Sequence, residues 1–160
     1  MIVMGVAGSG KSTVGARLAQ RLGAEFFDAD DFHPESNHAK MAAGIPLNDA
    51  DREPWLVRLK REVIDATPDG KRSVLACSAL KKSYRESLGV GSAGIQLIYL
   101  RGEAALLAER LAGRAGHFMK AGMLESQLAA LEEPHPDEGI TLGIDAGVEE
   151  ILENIVARVS

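Results

Sequence analysis

Residues 2–13 read IVMGVAGSGKST. An apolar run gives way to Gly5, Gly8 and Gly10, with Ser9 between the last two, and then to Lys11, Ser12 and Thr13. Residues 2–6 read as a short buried strand. Over 11–22, KSTVGARLAQRL sets Val14, Leu18 and Leu22 at helical spacing, and Gly23 stops the helix. Between strand and helix, Gly5 to Ser12 fits G-x-x-x-x-G-K-[ST] without a mismatch. Each part of that pattern has a task. The glycines let successive backbone N–H groups curl around a phosphate with no Cβ in the way. The helix adds its positive N-terminal end. Lys11 neutralises the outer phosphates, and the Ser12 hydroxyl can ligate magnesium. The stretch therefore predicts a nucleotide site holding Mg2+, and leaves the phosphate acceptor open.

Working outward, apolar runs alternate with amphipathic ones. AEFFDAD, SVLACS, IQLIYL and GITLGID read as further strands. Helices are expected over 36–43, about 50–66, KKSYRESL, 103–113, MLESQLAALEEP up to Pro134, and VEEILENIVARV. GRAGHFMKAG, glycine-rich and basic, reads as a loop-like insert. Near-continuous apolar strands alternating with helices imply a parallel sheet covered on both faces. The expected architecture is a three-layer αβα P-loop NTPase fold with a five-stranded parallel sheet and a small lid, one domain over residues 1–160. In such sheets ligands bind beyond the carboxyl ends of the strands. The glycine loop, Asp28, Asp30 and Ser78 all follow strands, so they are expected to share one cleft.

The bulk properties narrow the class. The 160 residues carry a net charge of −5, which argues against non-specific nucleic-acid binding. No apolar run approaches the roughly 20 residues that span a bilayer, and no signal peptide is read, so no membrane partner is expected. A single cysteine, Cys77, excludes an internal disulfide and fits a reducing cytoplasm. It reads as a buried strand residue, since phosphoryl transfer needs no thiol. No N-K-x-D base-reading motif of GTPases occurs, and SVLACS ends without the acid of a large ATPase. A small-molecule or nucleotide kinase is the class that remains.

The acceptor side is carried by FFDADDFHPESNHAKMAAGIPLNDADREPWL, residues 26–56. Asp28 and Asp30 alternate at a strand end, where their side chains share a face. One carboxylate can order the metal and the other can accept a proton from an attacking hydroxyl. The same pair can also be turn carboxylates capping a helix. His33-Pro34 can shape a turn, Lys40 can serve the end of a helix, and Asp51-Arg52 can pair locally. Trp55 and Leu56 read as core.

The pattern D-x-D-x-x-H-P, N-x-x-K-M, G-x-P-L-N-D-x-D-R-x-P-W-L is filled at every position, and it resembles the signature of gluconate kinases in the shikimate-kinase-like branch of P-loop kinases. CSALKKSYRESL and GHFMKAGMLESQLAALEEP match further blocks, so the resemblance runs from the glycine loop to about Pro134. It implies transfer of phosphate from MgATP to the 6-hydroxyl of D-gluconate. It also implies a cytoplasmic enzyme, commonly a homodimer, with an acceptor region about 30–67 and a lid about 113–123. A polyol carboxylate needs hydrogen-bonding groups and a cation. His33, Asn37, Lys40, Arg52, Ser78, Lys81 and Arg85 are the candidates, because Arg can hold a carboxylate bidentately. Asp30 takes the role of general base by similarity to the second Asp of D-x-D in shikimate kinases. Asp28 and Ser12 are the metal candidates.

Arg110 and Arg114 are spaced to share one helix face. The arrangement resembles the lid entrance of adenylate-kinase-like enzymes, where the first Arg packs on adenine and the second reaches the transferring phosphates; a plain solvated basic face has the same spacing. Glycines permit hinge motion, and closure expels water. His117 and Gln127 are candidate lid or substrate residues without a role defined by the sequence. Rival readings are a kinase of the same fold acting on shikimate or another sugar acid, and a non-catalytic nucleotide-binding regulator.

Overall fold

In the computed structural model the backbone is described for residues 1–113 and 117–159, and the side chains for 1–113 and 122–159. Five parallel strands, β1 (Ile2–Met4), β2 (Glu25–Asp28), β3 (Ser73–Cys77), β4 (Leu97–Arg101) and β5 (Gly139–Gly143), lie in the order β2-β3-β1-β4-β5. The helices are α1 (Lys11–Leu22), α2 (Glu35–Ala42), α3 (Asp49–Leu59), α4 (Lys82–Ser87), α5 (Ala104–Ala112), α6 (His117–Ala130) and α7 (Val148–Val159). This is the expected parallel αβα architecture. No helix among the described residues is long and apolar enough to cross a membrane.

Strand alternation divides the core in two. On β1, Val3 faces one side with Ile98 and Leu100 of β4, packed under Val14 and Leu18 of α1, Leu107 of α5 and Ile151, Leu152 and Ile155 of α7. Ile2 and Met4 face the other side with Leu75, Cys77, Leu97 and Tyr99, under Trp55, Leu56 and Leu59 of α3 and Tyr84 of α4. All are buried. Each such aliphatic side chain contributes about 1.5–3 kcal/mol by leaving water. Helix α1 comes close to the sheet at Gly15, where a Cβ would stand 2.9 Å from the Phe26 ring.

Three local expectations are corrected. The second strand stops at Asp28, and Ala29–Phe32 form a 3-10 turn, so Asp28 and Asp30 do not alternate along a strand. The helix expected over about 50–66 is α3 followed by a π-helical turn, Lys60–Ile64. The insert read as a loop is helical from His117, where α6 begins.

Candidate active site

The loop after the central strand β1 is built around two left-handed glycines, Gly8 at φ 83° and Gly10 at φ 86°. A Cβ at Gly8 would stand 3.1 Å from the Leu107 carbonyl, and one at Gly5 would collide with the Ser9 hydroxyl. Helix α1 starts without a side-chain cap and without an acid in its first turn, so its N-terminal N–H groups are left for an anion. The Ser9 hydroxyl is buried with no partner among the described residues. No hydrogen bond or ion pair among the described residues occupies the Lys11 ammonium. A glycine cradle, an orphan hydroxyl and an uncommitted cation fit a polyphosphate. Thr13 is exposed on α1 and does not line the cavity that Lys11 shares with the acceptor side.

Asp28 joins this loop to the acceptor side. Its Oδ2 accepts from the Ser12 hydroxyl at 2.6 Å, and its Oδ1 accepts from the Asp30 N–H at 3.1 Å. The carboxylate thus caps the 3-10 turn and ties it to the glycine loop. No cluster of three or more His, Cys, Asp or Glu able to hold a metal exists among the described residues. One hydroxyl and one carboxylate suit Mg2+, which takes most of its ligands from phosphates and water. Asp30 stands on the wall of a cavity of about 400 Å3, shared with Lys11. Its carboxyl is raised above the ordinary value, first by surrounding protein that excludes water, with Asp28 adding to the rise and Lys11 opposing it. Its side chain is open to the cleft, so this is the rise of a wall group and not of a core carboxyl.

The cavity is also lined by a ring stack. The His33 ring lies on Trp55 with centroids 4.3 Å apart and planes 13° from parallel. The Trp55 indole N–H donates to the Ala29 carbonyl at 2.7 Å. The Asn37 amide N–H donates to His33 Nδ1 (3.2 Å) and to the Asp51 carbonyl (2.8 Å). Burial first, then the charges of His38 and Arg52, hold the His33 imidazole down to about 4. It is neutral near pH 7, and with Nδ1 accepting, its proton sits on Nε2. Arg52 lines the cavity with His33, Trp55 and Ser78, anchored by a bond from its Nε to the Leu47 carbonyl (3.3 Å). Cys77 is fully buried behind this wall, its thiol pushed up to about 12 by burial, which removes it as a nucleophile.

Several expected contacts fall elsewhere. Arg85 is not a substrate residue. Its side chain is 1% exposed, donates to Glu138 through Nε and Nη2 (2.7 and 3.1 Å), and donates from Nη1 to the carbonyls of Ala79, Leu80 and Glu132. It has no face left for a ligand. Its work is to hold the turn after Ser78, where Ala79 takes a left-handed φ of 45° at a cost of about 1–3 kcal/mol. Lys40 is spent on Asp51 at 2.6 Å, and Lys81 on Asp49 at 2.7 Å; neither lines the cavity. Arg110 is exposed on α5 and donates one N–H to the Ile144 carbonyl at 2.6 Å. Arg114 and the His117 side chain lie outside the described residues. Trp55 is both core and cavity wall. Asn37 holds His33 from four residues away, whereas Gln127 meets the Ala7 N–H across 120 positions, a contact that no local spacing reveals.

The Arg85–Glu138 pair predicts a stability phenotype. Glu138→Ala leaves a buried guanidinium unpaired and is expected to cost about 3–5 kcal/mol in urea unfolding at pH 7. Hydrogen bonding to Arg85 holds the Glu138 carboxyl below its ordinary value. Its contribution is complete above the unfolded value and is lost as pH falls through the lower folded one. Unfolding curves across that acidic range should therefore show the wild type losing more stability than Glu138→Ala. A parallel loss in both would contradict the pairing.

Comparison with known proteins agrees with this geometry. A family profile described as shikimate kinase matches residues 7–156. The thermoresistant gluconokinase of Escherichia coli K12 is 44% identical over 98% of this chain and 88% of its own. A sugar kinase from Janibacter sp. HTCC2649, solved without ligand, superposes with a TM-score of 0.87 at 42% identity, covering 98% of this chain and 91% of the other. A gluconokinase from Sinorhizobium meliloti 1021 gives a TM-score of 0.84 at 36% identity, covering 99% and 96%.

Proposed function

We propose that this chain, which belongs to the shikimate kinase family and stands among its gluconokinases, uses ATP to phosphorylate D-gluconate at the 6-hydroxyl. The observation that carries the reading is one cavity lined together by Lys11, Asp30, His33, Arg52 and Ser78. MgATP supplies the electrophilic γ-phosphoryl group, with its charge partly neutralised by the metal. Gly5 and Gly8 to Ser12 would hold the phosphates, with Thr13 following on α1, Ser12 and Asp28 would hold Mg2+, and Arg110 would serve the adenine. Arg114 serves the transferring phosphates and His117 the substrate. Arg52 takes the gluconate carboxylate as a two-pronged donor, and His33 Nε2 and Ser78 take hydroxyls. Asp30 accepts the proton as the O6–P bond forms and the bond to the ADP oxygen breaks. Positioning and charge neutralisation supply most of the rate. Residues 30–67 form the acceptor region and 113–123 the lid. Homodimeric assembly and a cytoplasmic setting belong to the same proposal, and sedimentation equilibrium reads the first.

ADP release is to be measured with D-gluconate, other sugar acids, shikimate, AMP and no acceptor. Gluconate is expected to give the largest excess over the no-acceptor control. A larger excess with shikimate or another sugar acid would reassign the substrate, and no excess with any acceptor would favour a non-catalytic nucleotide binder.

The pH dependence follows from the two acceptor-side groups. Protonated Asp30 cannot accept the hydroxyl proton, so kcat/KM falls as pH drops through its raised value. His33 stays neutral until about pH 4. The acid limb of the profile should therefore persist in His33→Asn; its disappearance would assign that limb to the imidazole.

A further inference from the structure

We infer that Gln127 is a positioning residue that ties the acceptor hydroxyl to the phosphate loop. This rests on the kinase reading of the same site. The Gln127 Oε1 accepts the backbone N–H of Ala7 at 2.6 Å, across 120 positions of sequence. Among the described residues it is the one side chain of another element bonded to an N–H of the glycine loop.

The bond fixes the amide. Ala7 N–H is a donor, so the atom it meets is the oxygen, and among the described residues no acceptor takes the two N–H donors of the NH2 group. Gln127 lines the cavity with Lys11, Asp30 and His33, and Gly122, Met123 and Ser126 of the same helix line it too. Within that cavity Asp30, as base, is an acceptor and takes the hydroxyl proton. The hydroxyl oxygen then needs a donor from another direction to aim its lone pair at phosphorus. The Gln127 NH2 group supplies that donor. The same side chain pins α6 to the loop, so the hydroxyl is oriented by the element that also holds the phosphate cradle. No proton is transferred by Gln127.

Two variants separate positioning from structure. Gln127→Glu keeps an acceptor for Ala7 and removes both donors. Gln127→Met removes the donors without adding charge. Steady-state kinetics are to be run on both with D-gluconate, or with whichever acceptor the wild type uses, alongside thermal unfolding and acceptor-free ADP release. Both variants are expected to lose about tenfold in kcat, the value of one hydrogen bond. KM for MgATP should change less than kcat, and acceptor-free ADP release should fall less than gluconate phosphorylation. In Gln127→Glu the deficit should shrink as pH falls, because the protonated acid regains one donor. Wild-type kcat in Gln127→Glu would overturn the inference and leave only a structural link to Ala7. An equal rise in KM for MgATP in both variants would overturn it as well. Failure of the wild type to phosphorylate any acceptor would instead refute the kinase reading.

Discussion

Asp30→Asn is expected to lower kcat for gluconate phosphorylation by about 10²–10⁴-fold, with ATP affinity close to wild type. The carboxamide has the size of the carboxylate but takes no proton at neutral pH. The 3-10 turn that carries residue 30 survives the change, because its anchor is the backbone N–H of that residue on Asp28 and not its side chain. Ser12 keeps its bond to Asp28, so the metal candidates stay in place. Loss of one negative charge beside Lys11 disfavours neither phosphate nor metal-nucleotide binding. The effect is thus confined to the step in which the hydroxyl loses its proton, and equilibrium ATP titration beside steady-state kinetics checks the separation. Near-wild-type turnover would reject Asp30 as the base and leave positioning alone to carry the rate.

Lys11→Ala is expected to weaken nucleotide binding and turnover together, by about tenfold or more in KM for ATP and about 10²–10³-fold in kcat. Among the described residues the ammonium has no hydrogen-bond or ion-pair partner, so its removal breaks no such bond and thermal unfolding should move little. The charge faces the cavity beside Asp30, where it opposes the rise of that carboxyl. Its loss therefore raises the Asp30 carboxyl further, and the acid limb of the rate profile should shift to higher pH. A variant that loses ATP affinity but keeps kcat would place Lys11 in binding alone.

Features legible in the sequence were those whose cause is local. The phosphate loop follows from a contiguous pattern. Helix α1 begins at Lys11 and ends before Gly23 because a left-handed glycine stands at each end. Helix α7 matches its apolar spacing over Val148–Val159. The shared cleft of loop, Asp30 and Ser78 follows from parallel topology alone. What stayed hidden depends on partners distant in sequence. Arg85 looks like an available cation until Glu138 is seen to take it, and Lys81 until Asp49 does. Lys40 is an ion-pair strut to Asp51, which in turn closes the capping box at Asn48. Alternation of Asp28 and Asp30 requires the strand to continue, whereas a hydrogen bond from Asp30 N–H to Asp28 turns the chain there, the capping use of Asp that the sequence equally allows. Gln127 carried no local signal; its significance is the loop amide that it meets.

In the proposed reaction this cleft transfers phosphate to the 6-hydroxyl of gluconate. Phosphorus NMR of a reaction with MgATP and D-gluconate tests it most directly. The expected result is a new phosphomonoester resonance coupled to the two C6 methylene protons, growing in step with ADP and absent with Asp30→Asn on the same timescale. Inorganic phosphate as the sole new product, or a phosphomonoester coupled to a single methine proton, would contradict it.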